Sequence, residues 1–302
     1  MDVTAWLLDA DPAIRWQVLR SLTDAPVDEV DAERARVPRE GVGAAILAAQ
    51  GGDGAWHLGD EPDWVPTLYT MQLLRATGVD PADPAVDAAI DNLAAGFRWH
   101  EQLGGKPFFD GETEPCINGG ALALGGYFER PSHALAAQLI TEQLADGGWN
   151  CEAPKSARSS FHSTICVLEG LLAYERAAGA TPATAEARRL GEAYVLSRQL
   201  FRRRSTGEVV APSFTTLAFP PRCYYDVLRG LDYLRDAGVA PDARMADAVA
   251  VLRTHQQPDG RWLLEDSHAA TTLAVAFDEA PGQPSRWNTL RALRVLRWFD
   301  AG

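Results

Sequence analysis

The stretch "QLADGGWNCE", residues 143–152, contains the pattern that decides the fold, Gln-x-x-Asp-Gly-x-Trp. The pattern occurs three times, as "QGGDGAW" (50–56), "QLADGGW" (143–149) and "QQPDGRW" (256–262). Successive copies are separated by about twice the ~40 to 50 residues of a repeat built from two helices. Degenerate versions, "HEQLGGKPFF" (100–109) and "SRQLFRRRSTGEVV" (197–210), lie midway between them. The spacing therefore predicts an array of about five two-helix repeats.

Each of these turns lies between two stretches with helical periodicity. First helices are predicted at about 33–50, 83–97, 131–145, 183–200 and 241–256, and their partners at about 64–77, 115–128, 161–178, 222–237 and 285–299. Partners such as "CINGGALALGGYF" and "TICVLEGLLAY" are apolar on nearly every face and contain mid-helix glycines. Helices of this kind are buried on all sides, and glycine in them indicates close packing. The partners should form an inner ring, surrounded by the amphipathic first helices.

The remaining segments complete a single domain over residues 1–302, with a short helical pair in residues 1–30 and the repeats in 31–302. Two stretches rich in Thr, Val, Phe and Pro, 206–222 and 268–286, are predicted to be extended excursions that cap one end of the ring. In the repeated turn, Asp-Gly supplies positive φ. We expect the Trp to pack against the next repeat, and the Gln and Asp to cap helix termini there.

Composition limits the partners and the location. With 28 basic and 41 acidic residues the net charge is −13, which argues against nucleic acid or an anionic membrane surface as partner. No apolar run is long enough to span a bilayer, and the N-terminus lacks the basic and apolar regions of a signal peptide. The cysteines, at 116, 151, 166 and 223, show no disulfide-scaffold spacing. A cytoplasmic location is expected.

The three turns and the apolar inner helices resemble the "QW" repeats of squalene–hopene and oxidosqualene cyclases and the related repeats of protein prenyltransferase β subunits. The resemblance covers roughly residues 33 to 300. It implies an all-α fold, an α/α toroid, and a hydrophobic, isoprenoid-like substrate in the central cavity that would be cyclised, isomerised or transferred. The Asp-x-Asp-Asp acid of such cyclases is missing, since its look-alike "DSHAAT" (266–271) has His268 and Ala269 in place of acids. No Asp-Asp-x-x-Asp cluster for magnesium is present either.

Aligning the inner helices on their apolar residues places a ring of polar and aromatic side chains at one end of the toroid. Glu114, His162, Arg222 and Trp287 fall on one level, Cys116, Thr164, Tyr224 and Thr289 on the next, and Asp63, Cys223 and Asp226 nearby. The candidate catalytic residues are Glu114, Cys116, His162, Tyr224 and Asp226. The candidate substrate-binding residues are Asp63, Arg222 and Trp287.

A zinc site is one hypothesis for this ring. Prenyltransferase β subunits hold a catalytic zinc with Asp-x-Cys at one inner helix and His at a later one, and "EPC" with "FHST" resembles that pattern. The resemblance implies Glu114, Cys116 and His162 as ligands that converge at the mouth of the cavity. The alternative is that Glu114 and His162 cap helix N-termini and that Cys116 is a small buried residue.

Other interpretations of these residues stay open. Glu112 with Glu114 or Asp63 can form an acid/base pair of the glycosidase type. The segment "FRRRS" (201–205) can bind a diphosphate or be a solvated turn, and Tyr224, Tyr225 and Trp287 can stabilise a carbocation or only pack. The chain is accordingly expected to be an enzyme acting on an isoprenoid; a non-catalytic toroid that binds lipid or peptide, and a zinc-dependent or glycosidase-type toroid enzyme, are the alternatives.

Overall fold

The protein is a closed ring of helix pairs, seen in a computed structural model that describes residues 2–268 and 270–302. Ala269, which belongs to the look-alike acid motif and to the second excursion, lies outside the described residues. The α-helices of the described chain are α1 (Val3–Leu8), α2 (Pro12–Leu22), α3 (Val27–Arg34), α4 (Gly41–Ala48), α5 (Trp64–Thr77), α6 (Pro84–Gly96), α7 (Pro115–Tyr127), α8 (His133–Thr141), α9 (Phe161–Ala178), α10 (Pro182–Leu196), α11 (Val227–Asp236), α12 (Ala246–His255) and α13 (Arg286–Ala301). Short 3₁₀ turns occupy Glu101–Leu103, Phe108–Asp110, Pro212–Thr215, Ala243–Met245 and Ala270–Thr272, and the strands β1 (Trp262–Leu263) and β2 (Pro284–Ser285) pair antiparallel.

The predicted all-α toroid is confirmed, with α5, α7, α9, α11 and α13 as inner helices. Neighbouring inner helices run in the same direction and pack closely. A Cβ on Gly119 of α7 would lie 2.4 Å from the backbone of Cys166 in α9, and one on Gly126 would lie 2.4 Å from that of Ala173. The mid-helix glycines are thus required by the contact between the two backbones, as the sequence indicated.

The N-terminal helical pair completes the ring as a sixth pair. Helix α2 lies between α13 and α5: Trp16 Nε1 donates to the carbonyl of Thr77 at 2.8 Å, and Gln17 Oε1 accepts from Arg294 at 3.1 Å. Trp16 and Gln17 are buried. The prediction of five hairpins plus a separate pair therefore undercounted the ring by one unit, because α2 lacks a Gln-x-x-Asp-Gly-x-Trp turn to mark it.

Two predicted helix boundaries were wrong. The helix predicted over 33–50 is two helices, α3 and α4, because Pro38 and Gly41, with φ of +63°, interrupt it. The helix predicted to start at 222 starts at Val227, because Arg222 has φ of +49° and the side chain of Asp226 caps the first turn.

The repeated turn joins each outer helix to its own inner partner. Trp149 is buried; its Nε1 donates to the carbonyl of Leu139 in α8 at 2.6 Å, and its backbone N–H donates to the hydroxyl of Thr164 in α9 at 3.1 Å. These bonds lie within one repeat, but the indole also packs against the next repeat as expected: a Cβ on Gly191 of α10 would lie 3.0 Å from Trp149 Cζ3. The same two bonds are made by Trp56 with Ile46 and Thr67, and by Trp262 with Leu252 and Thr289.

The glutamine of the turn also connects successive repeats. Gln143 Nε2 donates to the carbonyl of Gly147 in its own turn and, at 2.8 Å, to that of Ala187 in the next outer helix. Gln50 bonds to Gly54 and Ala89 in the same way. The aspartates do not cap neighbouring helices as expected, because they bond nearby instead: Asp53 to the amide of Ala55, Asp259 to that of Arg261 and Asp146 to Ser159. The midway turns, 100–109 and 197–210, contain isolated bridges, Arg98↔Pro107 and Arg202↔Val209, in place of this arrangement.

The first excursion contacts the chain just ahead of the second. The backbone N–H of Phe219 donates to the carbonyl of Asp266 at 3.1 Å, and Ala218 forms a bridge with Asp266. Within the second excursion, the N–H of Ala274 donates to the hydroxyl of Thr70 in α5 at 2.9 Å. Both excursions thus contact inner helices, the first near the start of α11 through the bond of the Ala218 N–H to Asp226.

Candidate functional site

A central cavity of about 350 Å³ lies between the inner helices. Most of its wall comes from the C-terminal halves of α2, α5, α9 and α11, with α13 on one side and Phe219–Pro221 below. Six aromatic residues line it: Trp16, Tyr69, Tyr127, Phe219, Tyr233 and Trp287.

The cavity wall is strongly basic although the chain is acidic. Its acidic residues are Glu169, Asp232 and Asp236, and its arginines are Arg20, Arg34, Arg75, Arg176, Arg229, Arg235, Arg291 and Arg294. Four of these arginines stand in the last turn of an inner helix or of α2, where the negative end of the helix dipole favours a cation. The wall therefore has more cations than acidic partners.

One carboxylate serves three of the arginines. Asp232 forms a bidentate ion pair with Arg294, and lies 3.1 Å from Arg235 and 3.5 Å from Arg291. Burial alone would raise the pKa of Asp232, but the charges of Arg294 and Arg235 outweigh burial and hold that pKa well below its usual range. Asp232 is consequently ionised at neutral pH and neutralises only part of the charge around it.

Three arginines of the cavity, Arg20, Arg34 and Arg75, have no acidic partner in the described chain, and Arg34 bonds instead to the backbone carbonyls of Gly78 and Val79. Arg20 lies over the ring of Trp16, 4.4 Å from its centroid, and burial and the charges of Arg294 and Arg235 lower its pKa. Arg75, in the last turn of α5, makes no hydrogen bond or ion pair with any described residue. The potential in this part of the cavity is positive and suits an anion.

A salt bridge forms the wall between the cavity and the end where the inner helices begin. Arg229 binds Glu169 with two bonds, of 2.8 and 2.9 Å, and its Nη2 also lies 3.5 Å from the thiol of Cys166. Burial opposes ionisation of Glu169, yet the nearby Arg229 lowers its pKa. Glu169 is thus a carboxylate at neutral pH.

The four cysteines of the chain come together beyond this salt bridge. Cys116 Sγ lies 2.9 Å from Cys151 Sγ and 3.6 Å from Glu114 Oε2. Cys166 donates to the carbonyl of Cys223 at 3.6 Å. We refer to Glu114, Cys116 and Cys151, whose ligand atoms all lie within 4.8 Å of one another, as the thiol cluster. The sequence suggested scattered cysteines, and this is corrected, because the N-termini of α7, α9 and α11 adjoin in the ring.

The thiols differ in acidity. The hydrogen bonds with Cys151 and Cys223, together with burial, raise the pKa of Cys116, while the bond to Cys116 lowers the pKa of Cys151 and lowers that of Cys223 to about 6. Burial raises the pKa of Cys166 to about 12. The pKa of Cys116 is thus raised, in the direction opposite to the predicted effect of the helix N-terminus.

His162 is not part of the group of ligand atoms that the described residues bring together. Glu114, Cys116 and Cys151 have ligand atoms within 4.8 Å of one another, and the imidazole is absent from that set. Its Nδ1 accepts the backbone N–H of Tyr225 at 2.9 Å, and burial lowers its pKa. Of the three expected zinc ligands, Glu114 and Cys116 lie close together in the structure. The third member of their group is Cys151 and not His162.

The remaining candidates lie apart from one another. Both carboxylate oxygens of Asp226 accept backbone amides, from Arg229 at 2.8 Å and Ala218 at 3.2 Å, so this buried residue serves as a helix cap. Asp63 pairs with His57 at the surface. Tyr224 is 42% exposed, with its ring 5.6 Å from that of His162.

Arg222 and Trp287, the two substrate-binding candidates predicted on one level with Glu114, have different surroundings. The guanidinium of Arg222 lies over the ring of Tyr69, 4.4 Å from its centroid. Trp287 stacks on Phe219 with centroids 4.6 Å apart and lines the cavity. Glu112 is buried and accepts the amides of Thr113 and Glu114, so its oxygens point back to its own loop.

Comparison with known proteins finds several solved structures to which the chain is similar. The chain is similar to a protein from Actinoplanes (16% identity, TM-score 0.46, covering 96% of this chain and 90% of that one) and to the type II terpene cyclase MstE from Scytonema (17%, 0.47, 93% and 85%). It is also similar to a variant of MstE in complex with its substrate, geranylgeranyl dihydroxybenzoate (17%, 0.43, 94% and 85%). At this identity the likeness concerns the fold alone. No protein-family model and no curated protein sequence matches the chain. No helix in the described part of the chain is both long and apolar enough to cross a bilayer.

Proposed function

We propose that the central cavity binds a small isoprenoid-type amphiphile with an anionic head group. The observation that carries the proposal is the charge of the wall: eight arginines face three acidic residues, in a chain whose net charge is −13. Uncompensated guanidinium groups in a concave, partly buried site are what carboxylates and phosphates bind to. A neutral hydrocarbon would leave these groups without a partner.

The apolar part of such a ligand has a matching surface. The stacked pair of Phe219 and Trp287, with Leu290 beside it, forms an apolar wall at the side of α13. A volume of about 350 Å³ is near the lower end of the roughly 300 to 1,000 Å³ typical of small-molecule sites. We therefore expect a short prenyl chain with a carboxylate or diphosphate.

The acids of the cavity are poorly suited to begin a cyclisation by protonating the ligand. Asp232 and Glu169 are held as carboxylates by the arginines next to them, and Asp236 pairs with Arg176 at 2.8 Å. A general acid needs a raised pKa so that it carries a proton at neutral pH. Ligand binding is the activity that this cavity supports best.

The proposal is tested by comparing ligands that differ only in the head group. Geranyl and farnesyl diphosphate should bind in calorimetric titrations, and the corresponding alcohols should bind at least about tenfold more weakly, because hydrogen bonds to charged groups contribute about 1.5 to 3 kcal/mol. Binding should quench tryptophan fluorescence, since Trp16 and Trp287 line the cavity.

A pair of variants locates the binding site. Arg75→Gln removes a cavity arginine without breaking an ion pair, and should weaken binding of the diphosphates by roughly ten- to a hundredfold. Arg189→Gln, at an exposed ion pair with Glu186 on α10, is the control and should leave affinity unchanged. Equal affinity for alcohols and diphosphates, or equal loss in the two variants, would contradict the proposal.

A further inference from the structure

We propose that the thiol cluster, Glu114, Cys116 and Cys151, binds one thiophilic divalent cation of the zinc type, with a fourth position open to solvent. This proposal does not rest on the ligand of the central cavity, because the cluster lies at the opposite end of the inner helices. It also differs from the ligand set that the resemblance implied, since it contains no histidine.

The donor atoms fit such an ion in type and in spacing. Thiolates and a carboxylate are ligands that zinc accepts in tetrahedral sites, with bonds of about 2.3 Å to sulfur and 2.0 to 2.2 Å to oxygen. Two such ligands on one tetrahedral ion are about 3.6 Å apart, which is the distance between Glu114 Oε2 and Cys116 Sγ. The 2.9 Å between Cys116 and Cys151 would have to widen by about 1 Å around a metal.

The convergence of the donors is the main argument. They come from two separate places, the start of α7 and the loop that follows Trp149. Cysteines that only fill space in a core need not converge, whereas a bound metal stabilises their convergence with the energy of several bonds. Glu114 is exposed and Cys151 is half-buried, so an ion can enter from solvent.

The two excluded neighbours have other partners. Cys166 is buried between Arg229 and the carbonyl of Cys223. The Nδ1 atom of His162 accepts the N–H of Tyr225 and thereby holds the chain that enters α11. These residues provide matched controls for the cluster.

Cobalt(II) titration of the reduced, metal-free protein tests the proposal. One equivalent should give the near-ultraviolet charge-transfer absorption of thiolate–cobalt bonds, and zinc should displace it. Cys116→Ser and Cys151→Ser should each weaken binding by at least a hundredfold, and Glu114→Gln by less, while Cys166→Ser and His162→Ala should retain it. Far-ultraviolet circular dichroism establishes that each variant is folded, and the exposed Glu114 gives a variant that does not disturb the core.

Three results would overturn the proposal. The first is no absorption above that of a Cys116→Ser/Cys151→Ser double variant. The second is loss of the metal in His162→Ala with retention in Cys151→Ser, which would instead support the carboxylate–thiolate–imidazole set. The third is a thiol count that falls from four to two on exposure to a low-molecular-weight disulfide and cannot be protected by zinc, which would make Cys116 and Cys151 a redox pair. None of these results depends on whether the cavity binds an anion.

Discussion

The two ends of the ring present opposite chemistry on the same helices. Where the inner helices begin, the side chains are thiols, carboxylates and hydroxyls, represented by Cys116, Glu114 and Ser160. Where the helices end, they are arginines, represented by Arg75 and Arg235. The salt bridge of Arg229 and Glu169 lies between the two sets.

The difference follows from the parallel direction of the inner helices. Each helix carries about half a positive charge at its N-terminus and half a negative charge at its C-terminus, so parallel helices give the ring a positive and a negative end. Acceptors and anions are stable at the first end and cations at the second. The backbone thus explains why a thiolate site and an anion site can both exist in one small toroid, at separate places.

The largest loss of stability is expected at the end where the repeated Gln-x-x-Asp-Gly-x-Trp turns hold the inner helices. Trp149→Ala removes a fully buried indole and its bond to Leu139, and should lower the free energy of unfolding by about 3 to 5 kcal/mol in urea titrations. Trp56→Ala and Trp262→Ala should behave alike. Trp298→Ala is the control, because the indole of Trp298 in α13 is partly exposed. It should lower the free energy of unfolding clearly less. Equal losses in all four variants would mean that the turns have no special role.

At the arginine end, the corresponding test is Asp232→Asn. Loss of the carboxylate leaves Arg235, Arg291 and Arg294 without their common partner and should destabilise the protein by about 3 kcal/mol. Because the pKa of Asp232 is lowered in the folded state, its contribution is complete above the unfolded pKa of about 3.9 and is lost as the pH falls through the folded value.

The acid limb of a stability–pH curve should therefore be flatter in Asp232→Asn than in the wild type. Phosphate should restore part of the lost stability, since it can take the place of the carboxylate. An unchanged melting temperature would show that the three arginines do not need this partner.

A smaller effect is expected from the hydroxyl that completes the turn. Thr164→Val keeps the shape of the side chain but leaves the buried N–H of Trp149 without an acceptor, which should cost about 1 to 3 kcal/mol. Thr141→Val removes a hydroxyl that bonds to the exposed carbonyl of Ala137, and serves as the control. If the two variants unfold at the same temperature, the hydroxyl of Thr164 is not a stabilising part of the repeated unit.

The smallest effect has the opposite dependence on pH. A bond to Glu265 raises the pKa of His255, so this pair stabilises the protein below the unfolded pKa of about 6.5 and loses its contribution as the pH rises through the folded value. His255→Gln should flatten the stability curve around and above pH 6.5 by less than about 1 kcal/mol. A decrease confined to acidic pH would assign the effect to another group.

Most of the fold could be predicted from the sequence, because local patterns determine it. The inner helices α5, α7 and α9 begin and end within one residue of their predicted bounds. Apolar residues on all faces, mid-helix glycines and the repeated Trp turn are all visible in a single chain. The pair α1 and α2 was recognised as helical but not as part of the ring, since ring closure depends on contacts between distant segments such as Trp16 and Thr77.

The site could be predicted only in part for the same reason. Glu114 and Cys116 were found because they stand two residues apart on one helix. Cys151 follows the repeated Trp turn at 143–149. No spacing rule connects it with Cys116, so their contact could not be predicted from the sequence. The cavity arginines carried a signal that was not used, namely a basic residue in the last turn of three inner helices, Arg75 in α5, Arg176 in α9 and Arg235 in α11.

The closure of the ring by α2 has a consequence for how the protein unfolds. In an open array of repeats the terminal units have one neighbour each, so they fray first and unfolding spreads inward. Here α13 contacts α2 through Arg294 and Gln17, and α2 contacts α5 through Trp16, so every pair has two neighbours. Removing any one pair must break two interfaces at once. The array is thereby a closed cycle that has no terminal unit to fray first. Its amide protons should exchange with solvent through a single concerted opening.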